Sequence, residues 1–273
     1  MKQPRWVLLG GRVRSASAAR VAIWSPAVRW GAGLYETVGC EGGLPLLYQR
    51  HLDRIGEGAR ELGWELPALP GEEQIAVLLA RSSFAGPAAL RLLVAATPHR
   101  LRAVAWAERF RPPRRLRRDG AALLPLELPA GPLAGVKTCD RFALRWANRR
   151  ARASGYTAAL LLDADGMVRE SDHANVFARL GDEVVTPPTP RRCLPGVIRA
   201  WTMSTLRAQG SRVVERDLRV AELIAAQGAW LTSSLEGLVP VRRVGEAELP
   251  SPTLQLARLV AAGVPAPGYP ARA

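Results

Sequence analysis

Apolar residues along this chain fall into short runs and helical repeats that are separated by turns rich in glycine and proline. Runs of strand-forming residues between such turns predict β-strands, and apolar residues at three- and four-residue spacing predict helices. In the first part of the chain this pattern predicts strands over residues 6–10, 21–24, 34–40, 44–48, 90–96 and 103–107, and helices over 49–63 and 72–81.

The rest of the sequence continues this alternation of strands and helices, which indicates the α/β class. It predicts strands over residues 123–128, 158–162, 167–170, 175–179, 183–186, 213–215, 229–232 and 238–241, and helices over 140–153, 196–209 and 220–226. Arginines recur at three- and four-residue intervals on the first of these helices, a spacing typical of a solvated stripe. They are Arg141, Arg145, Arg149 and Arg152.

A segment rich in proline and arginine divides this pattern in two. Residues 109–120 carry Pro112, Pro113 and a run of arginines whose like charges repel, so we interpret the segment as a linker that cannot pack a core. At 273 residues the chain is long enough for two domains. We therefore expect a small N-terminal α/β domain over 1–108, an interdomain linker over 109–120 and a larger C-terminal domain over 121–273.

The chain has a net charge of +14 and a pI of about 11.1, which raises the question of nucleic acid. A nucleic-acid binder usually clusters its charge and interleaves aromatic residues that stack on bases. Here the arginines are spread over the whole length, and the dense run over 109–118 is broken by proline and poor in aromatic residues. We interpret the basicity as an arginine-rich composition that also attracts a small anionic substrate, with no nucleic acid as partner.

The sequence indicates neither a membrane nor an oxidising compartment. It has no apolar run long enough to span a bilayer, and its first apolar segment is too short for a signal peptide. Cys40, Cys139 and Cys193 are odd in number and lack the spacing of metal ligands. We therefore expect reduced thiols, no bound metal and a cytoplasmic protein.

Lys137 is the first candidate for chemistry. The chain has 36 arginines but only two lysines, and the other lysine is Lys2. Arginine stays protonated in proteins, whereas a desolvated lysine can lose its proton and attack a carbonyl group to form a Schiff base. Lys137 lies in the segment PLAGVKTCDR (132–141), where apolar neighbours argue against a solvated loop. A surface lysine without a role is the alternative.

Two further features of the second half fit a cofactor that carries a phosphate and withdraws electrons. The turn over 193–196 leads into a helix whose first amides, those of Val197 and Ile198, would receive a phosphate. Glu170 ends a strand, and a carboxylate against a pyridine nitrogen keeps that nitrogen protonated, so that the ring accepts electrons. The ordinary alternatives are a common helix start and a surface acid.

These residues lie in segments that resemble the class IV, fold-type IV pyridoxal-phosphate enzymes, which include branched-chain and D-amino-acid aminotransferases and aminodeoxychorismate lyase. The resemblance is carried by GAGLYET, RHLDR, LAGVK, VRESDHANVF, LPGVIR and TSSLEGLVPV, from about residue 31 to residue 241. It implies a two-domain, D-amino-acid-aminotransferase-like α/β fold, with a small domain of one sheet and two helices and a larger domain around a barrel-like sheet. It also implies pyridoxal 5'-phosphate as cofactor and a homodimer.

The same resemblance implies roles for individual residues. Lys137 would bind the cofactor and act as the catalytic base, and Glu170 would contact the pyridine nitrogen. The implied phosphate contacts are Arg54, Gly196, Val197, Ile198 and Ser234. Candidates for contacts with a substrate carboxylate are Tyr35, Arg100 and Arg141, each with an ordinary structural role as the alternative.

Within this group, LAGVKTCDR is most similar to the lyases, in which an L-A-G-x-K motif precedes Asn-Arg, and SLEGLVPV is similar to them as well. The resemblance thus implies conversion of 4-amino-4-deoxychorismate to 4-aminobenzoate and pyruvate, a step of folate biosynthesis. A class IV transaminase acting on a D-amino acid, a branched-chain amino acid or an amine stays open, because Lys137, Glu170 and the phosphate contacts serve both reactions. A protein that inherited the fold but binds no cofactor, or binds nucleic acid, is the third alternative.

The sequence departs from the family pattern at three places. Gly31-Ala32-Gly33 stands where the family has Gly-Asp-Gly, and Asp140 stands where the lyases often have Asn. Only TPHR (97–100) stands where many members have a loop of arginines and glycines that helps to recognise the substrate carboxylate. Among the histidines, His51 is expected to pack or hydrogen-bond at a helix start, whereas His99 and His173 have no partner recognisable in the sequence.

Overall fold

A computed structural model of the chain describes residues 4–84, 86–190 and 192–250. The chain divides into two compact units. Unit 1 comprises the chain up to Pro112 together with Val136–Arg141, and unit 2 comprises Pro113–Gly135 together with the chain from Phe142 onwards. Residues 136–141, which include Lys137, are thus part of unit 1, although the residues on either side of them belong to unit 2. The domain boundaries at 108 and 121 remain a prediction.

Unit 1 is built on a six-stranded antiparallel sheet. Its strands are β1 (Trp6–Leu9), β2 (Arg12–Ser15), β3 (Gly33–Glu41), β4 (Leu44–Pro45), β5 (Ala88–Ala96) and β6 (Leu101–Arg109). They lie in the order β2-β1-β6-β5-β3-β4. Its helices are α1 (Pro26–Arg29), α2 (Tyr48–Glu61) and α3 (Glu72–Ser82), and Ala16–Ala18 form a 3-10 turn.

Helices α2 and α3 each turn one face to this sheet. On α3 the buried residues Ile75, Leu78 and Leu79 follow helical spacing. From Leu90 onwards every second residue of β5 is buried, as a strand requires. These faces form one apolar core in unit 1, and they confirm both helices predicted for the first hundred residues.

Two strand predictions in unit 1 are wrong. Residues 21–24 form no strand, and Val21, Ile23 and Trp24 are 51%, 76% and 68% exposed. Strand-forming residues form a strand only beside a neighbouring strand, and no strand of the unit 1 sheet pairs with residues 21–24. The strand predicted over 44–48 stops at Pro45, because α2 begins at Tyr48. The pattern also missed β2, whose sequence RVRS is mostly polar.

Unit 2 contains a nine-stranded mixed sheet. Its strands are β7 (Ala121–Glu127), β8 (Ala158–Leu162), β9 (Val168–Ser171), β10 (Asn175–Leu180), β11 (Glu183–Thr186), β12 (Arg212–Glu215), β13 (Gly228–Ser233), β14 (Gly237–Val244) and β15 (Ala247–Glu248). The order is β12-β11-β10-β13-β14-β7-β8-β9, with β15 on β14. Its helices are α4 (Arg114–Asp119), α5 (Phe142–Ala153), α6 (Val197–Ala208) and α7 (Val220–Ile224).

The connection between β9 and β10 requires this sheet to curl. β9 ends at Ser171 and β10 begins at Asn175, so the chain between them can span at most about 14 Å. In a flat sheet the strand order would place them five positions apart, at about 24 Å. The sheet must therefore bend back on itself, which agrees with the barrel-like sheet expected for the larger domain.

Alternate residues of the central strands in unit 2 face two different sides. Leu160 of β8 and Leu231 of β13 belong to the core on one side of the sheet. Leu161 instead belongs to a second cluster with α5 residues, and Trp230 belongs to a third cluster with α6 residues. Because helices cover the second side, β8 (AALLL) and the first four residues of β13 (GAWL) carry no polar side chain instead of alternating with polar residues.

The arginine-rich segments differ in their packing. Within 109–120, which the sequence predicts to be a linker, residues 114–119 form α4, and its Leu116 packs against the core of unit 2. On α5 the predicted solvated stripe is confirmed for Arg145, Arg149 and Arg152, which are exposed, whereas Ala147 and Ala151 are buried.

None of the helices in the described part of the chain has both the length and the apolar character needed to cross a bilayer.

A buried and an exposed tryptophan of unit 2 predict different costs for the same substitution, Trp230 in β13 and Trp146 on the outer face of α5. Trp230 is 1% exposed and its ring stacks on Phe177 with centroids 5.7 Å apart. We expect Trp230→Ala to lower the free energy of unfolding by about 3–5 kcal/mol, whereas Trp146→Ala, at a position 46% exposed, changes it by about 0.5 kcal/mol or less. Urea denaturation followed by circular dichroism would measure both, and equal effects would contradict the packing described here.

Candidate active site

The segment that carries Lys137 lies against the beginning of β3. The Tyr35 amide donates a hydrogen bond to the Lys137 carbonyl at 3.1 Å, and the Cys139 amide donates one to the Gly33 carbonyl at 2.8 Å. Thr138 forms an antiparallel bridge with Leu34 between them. Backbone bonds therefore fix the root of the Lys137 side chain, and the residue itself is half-buried.

Gly33 is what allows this close approach. A Cβ atom at Gly33 would lie 2.8 Å from the Cys139 Sγ and 2.9 Å from the Val94 carbonyl oxygen. Both distances are shorter than a van der Waals contact, so a side chain here would push β3 away from the Lys137 segment or from β5. In the sequence, Gly33 is recognisable only as part of the GAGLYET motif.

Two of the proposed substrate contacts lie with Lys137. The Lys137 Nζ is 4.8 Å from the centroid of the Tyr35 ring, and the Arg141 guanidinium carbon is 5.6 Å from the same centroid. Burial raises the pKa of Tyr35, and the nearby Arg141 charge opposes this only in part. The phenol therefore stays protonated at neutral pH and can donate a hydrogen bond to an anion.

The third proposed substrate contact, Arg100, has a different setting. It lies in the exposed loop between β5 and β6, where its amide and carbonyl both bond to Thr97. It borders a cavity of about 380 Å³ together with the turn between β1 and β2 and the loop between α2 and α3. The structure thus groups Tyr35, Lys137 and Arg141 at the start of β3, and it places Arg100 beside this separate cavity.

Arg54, an expected phosphate contact, forms a buried ion pair. Its Nε and one terminal nitrogen donate to the two carboxylate oxygens of Glu36 at 2.6 and 2.7 Å. His51, one helical turn earlier on α2, places Nδ1 2.7 Å from the same carboxylate. All three side chains are at most 8% exposed. The expected hydrogen bond of His51 is confirmed, and the phosphate role of Arg54 remains a prediction.

Glu36 was missed by the sequence analysis although a signal was present. It follows Leu34 and precedes Val38 at two-residue spacing on β3, so it belongs to the buried face of the strand. A carboxylate on such a face requires a cationic partner nearby. Burial alone would raise the pKa of Glu36, but the Arg54 charge and the His51 hydrogen bond hold it far below its ordinary value. Burial lowers the pKa of His51, which is therefore neutral.

In unit 2, Asn175 connects the other predicted cofactor contacts. Its Nδ2 donates to the Leu194 carbonyl at 2.8 Å and lies 3.5 Å from a carboxylate oxygen of Glu170. The Leu194 amide donates to the same Glu170 oxygen at 3.3 Å. Glu170 is thus held beside the turn that leads into α6. Asn175, noted in the sequence only as a motif residue, is buried and holds both groups in place.

Gly196 lies in contact with this amide. A Cβ atom at Gly196 would lie 2.0 Å from the Asn175 Oδ1, so only glycine fits while Asn175 keeps its hydrogen bonds. Gly196 is the N-terminal cap of α6, and the next two residues, Val197 and Ile198, open the helix. Their amides belong to the first turn and have no acceptor within the helix. The structure therefore brings together Glu170, Gly196, Val197 and Ile198.

Ser234 lies at the same edge of the unit 2 sheet. Asn175 is paired with Thr232 in the ladder between β10 and β13, and the chain then passes through Ser233 into the turn over 234–236. The Glu236 amide donates to the Ser233 Oγ at 3.2 Å, which closes this turn. The Thr232 hydroxyl is buried and has no hydrogen-bond partner among the described residues. A buried hydroxyl in this state fits a site that takes a polar ligand.

A buried arginine fixes the loop before α6. Arg192 donates to Asp163 and Asp165 at 2.6 Å and to Asp217 at 3.0 Å. The Arg192 carbonyl in turn accepts a hydrogen bond from the Arg169 Nε at 3.0 Å. Arg169 immediately precedes Glu170, so this network also fixes the strand end that carries the carboxylate. No pattern in the sequence indicates these pairings, because the acidic partners of Arg192 lie 25 to 29 positions from it.

The three cysteines are free thiols. Burial raises the pKa of Cys40 and Cys193 to about 12 and that of Cys139 to about 11. They are therefore neutral at physiological pH and poor nucleophiles.

Within the described residues, no group of three or more His, Cys, Asp or Glu side chains could hold a metal ion.

Comparisons with known proteins extend over most of the chain. The profile of the family described as "Amino-transferase class IV" matches residues 33–244. A protein of Mycobacterium tuberculosis named bifunctional aminodeoxychorismate lyase / D-amino acid transaminase is 30% identical over 243 residues, which cover 81% of this chain and 84% of that protein. A putative branched-chain-amino-acid aminotransferase of Methanocaldococcus jannaschii is 25% identical over 249 residues, 86% of each chain.

A solved structure of an aminotransferase is also similar to this chain over most of its length. The structure described as a hypothetical aminotransferase from Mycobacterium tuberculosis, in its PLP-bound form, superposes with a TM-score of 0.84 at 26% identity. The match covers 95% of this chain and 99% of that one.

The buried carboxylate of unit 1 predicts a pH-dependent loss of stability. At pH 7 we expect Glu36→Gln to lower the free energy of unfolding by about 3 kcal/mol, because Arg54 loses its buried anion. The folded-state pKa of Glu36 lies below its ordinary value of 4.5. The carboxylate therefore stabilises the fold fully above that pH, and this contribution is lost as the pH falls further.

Urea unfolding of Glu36→Gln and wild type between pH 3 and pH 7 would measure this difference. Glu57→Gln, an exposed position on α2, is the matched control and should follow wild type throughout. A stability difference that stayed constant over this pH range would contradict the assignment of the Glu36 charge.

The contact at Gly196 predicts that one methyl group disturbs the unit 2 cluster. We expect Gly196→Ala to displace Asn175, to lower the free energy of unfolding by about 1–3 kcal/mol, and to weaken the binding of pyridoxal 5'-phosphate. Gly131→Ala is the control, since a Cβ atom there meets nothing within 4 Å. Thermal unfolding and an absorbance titration would test this, and equal behaviour of the two variants would exclude the steric argument.

Proposed function

This chain belongs to the class IV aminotransferase family of pyridoxal-phosphate-dependent enzymes, and within that family we propose that it is a lyase that converts 4-amino-4-deoxychorismate to 4-aminobenzoate and pyruvate. The observation that carries the proposal is the segment LAGVKTCDR around Lys137, which resembles the lyases more than the transaminases. The 30% identical relative named as both a lyase and a transaminase supports it. By the same resemblance, the product would enter folate biosynthesis.

The residues described in unit 2 fit the cofactor. The first amides of α6, with Gly196 free of a side chain, and the unsatisfied Thr232 hydroxyl offer donors for a phosphate. We assign the phosphate to Gly196, Val197, Ile198 and Ser234, with Arg54 as the proposed contact from unit 1. Glu170, held by the Leu194 amide, offers a carboxylate to the pyridine nitrogen. When bound, the cofactor supplies an electron sink for the bond that breaks.

Lys137 is the proposed covalent anchor and proton carrier. Its backbone is fixed against β3, the residue is half-buried, and its amine lies over the Tyr35 ring. In this proposal the amine, once displaced by the substrate amine, removes the proton from the carbon that bears the nitrogen. Loss of pyruvate from the substrate then produces an aromatic ring, which supplies much of the driving force.

Substrate recognition is proposed for the cationic group around Tyr35. The protonated Tyr35 hydroxyl and the Arg141 guanidinium are donors suited to a carboxylate, and the overall positive charge of the chain attracts a dianionic substrate. Arg100, in the loop between β5 and β6, keeps its proposed role as a contact for a substrate carboxylate.

A class IV transaminase is the second candidate. It is favoured by the names of the two relatives, which include a D-amino acid transaminase and a putative branched-chain-amino-acid aminotransferase. Lys137 and Glu170 would serve both reactions, because the first proton transfer is common to them. A D-amino acid, a branched-chain amino acid or an amine would then be the substrate.

We also propose that the enzyme works as a homodimer in the cytoplasm. The dimer rests on the family resemblance, and the cytoplasmic location rests on the three thiols, none of which forms a disulfide. Sedimentation of the holoenzyme would test the assembly.

The need for a keto acid that accepts the amino group distinguishes a transaminase from a lyase. We expect wild-type protein with pyridoxal 5'-phosphate to release pyruvate from 4-amino-4-deoxychorismate in the absence of any keto acid, since a lyase needs no amino acceptor. Lys137→Arg keeps the charge but cannot form a Schiff base with the aldehyde of the cofactor. We therefore expect it, like Lys137→Ala, to react about 10³-fold more slowly than wild type or slower still. Product formation only after a keto acid is added would instead identify a transaminase.

A further inference from the structure

His173 occupies a position that the proposed mechanism does not use. It lies in the three-residue turn between β9 and β10, three positions after Glu170. Its Nδ1 is 3.0 Å from an Asp172 carboxylate oxygen, and its Nε2 is 2.9 Å from a Glu236 carboxylate oxygen. The ring is about one-third exposed. The structure therefore provides two partners for a histidine that had none recognisable in the sequence.

The two contacts determine the charge of the ring. A carboxylate only accepts hydrogen bonds, so a ring nitrogen facing one must carry a hydrogen. Both nitrogens face carboxylates, and the ring is therefore an imidazolium ion. Burial disfavours this charge, but the hydrogen bonds to Asp172 and Glu236 prevail and raise the pKa of His173 to about 10. Arg117 is the further charged group beside Glu236.

The Asp172 carboxylate and the Glu236 backbone are each held by a further hydrogen bond. Asp172 accepts from the Ala159 amide of β8 and from the Asn148 side chain of α5, both at 2.8 Å. The Glu236 carbonyl accepts from the Arg117 Nε at 2.8 Å. The imidazolium therefore joins two anchored turns: the turn after Glu170, and the turn over 234–236 that carries Ser234.

These two turns hold proposed contacts for different parts of the cofactor. Glu170 is assigned to the pyridine nitrogen and Ser234 to the phosphate, which are separate points of one rigid molecule. Without the cation, the Asp172 and Glu236 carboxylates would face each other at short range and repel. The spacing of the two turns, and with it the spacing of the cofactor contacts, depends on the charge between them.

We propose that His173 is a positioning residue whose imidazolium sets the distance between the Glu170 turn and the Ser234 turn and so tunes cofactor binding. The inference rests on the proposed function, because that function assigns Glu170 and Ser234 to the cofactor. His173 itself touches neither substrate nor cofactor in this account. Its effect is transmitted through Asp172 and Glu236.

The test compares pyridoxal 5'-phosphate affinity in four full-length proteins: wild type, His173→Gln, the double variant His173→Gln/Glu236→Gln, and the control His99→Gln. His99 is exposed in the loop between β5 and β6. We expect His173→Gln to raise the dissociation constant about tenfold or more, and His99→Gln to match wild type. The double variant removes one carboxylate of the repelling pair and should recover a large part of the affinity. A role in filling space alone would not produce this recovery.

Hydrogen exchange of the proteins without cofactor gives a second readout. The Ala174 amide bonds to Ser171 Oγ and the Glu236 amide bonds to Ser233 Oγ, so each reports on one turn. Both should exchange faster in His173→Gln than in His99→Gln. If His173→Gln does not fold, the double variant and Glu236→Gln take its place. Neither leaves two carboxylates facing each other, so both should bind pyridoxal 5'-phosphate with nearly wild-type affinity, and a tenfold loss in either would overturn the inference.

The outcomes separate this inference from the proposed function. If wild type does not bind pyridoxal 5'-phosphate, the proposed function and this inference both fail. If wild type binds it and His173→Gln binds it equally well, only this inference is overturned. Failure of the double variant to recover affinity would likewise exclude the repulsion between Asp172 and Glu236 as the cause.

Discussion

A guanidinium ion is rarely buried in a protein without an anion beside it, and this constraint applies in both units of the structure. Among the described residues, the buried arginines are Arg54, Arg169, Arg192 and Arg199, and each has a carboxylate partner. Removing one member of such a pair costs far more than the pair contributes, since the remaining charge has no water. An arginine-rich chain can therefore fold only if its acidic residues are placed opposite the arginines that enter the interior.

These pairs lie next to the residues that matter for chemistry. The Glu36–Arg54 pair fixes α2 against β3, the strand that also holds the Lys137 segment. The Arg192 network fixes both the loop before α6 and the strand end before Glu170. The ion pairs that neutralise buried arginines thus also hold the candidate catalytic groups in place. The remaining arginines contribute a positive electrostatic field that attracts an anionic substrate.

At two glycines of the candidate site, the backbone approaches a neighbouring segment more closely than a side chain would allow. Gly33 lets the Lys137 segment lie against β3, and Gly196 lets the start of α6 lie against Asn175. In both places the missing side chain brings peptide groups to positions where a larger residue would keep them apart. Donors held by the backbone need no reorganisation when a ligand binds, which is why such contacts suit a cofactor that must be held rigidly.

The sequence by itself determined most of the elements, the family and the main chemical candidates. Helical spacing predicted α2, α3, α5 and α6, and the scarcity of lysine directed attention to Lys137. These features could be predicted because each depends on residues within a few positions of one another. The expectation of an α/β fold of the fold-type IV class is confirmed, as is dependence of the family on pyridoxal phosphate.

Only the tertiary structure decided which distant residues meet. His173 bonds to Glu236 across 63 positions of sequence, and Arg192 bonds to Asp163 across 29. Residues 21–24 have the composition of a strand but no neighbouring strand to pair with. Local sequence specifies what a residue can bond to, whereas the presence of a partner depends on how the whole chain packs. The charge of His173 and the partner of Arg54 are therefore properties of the fold.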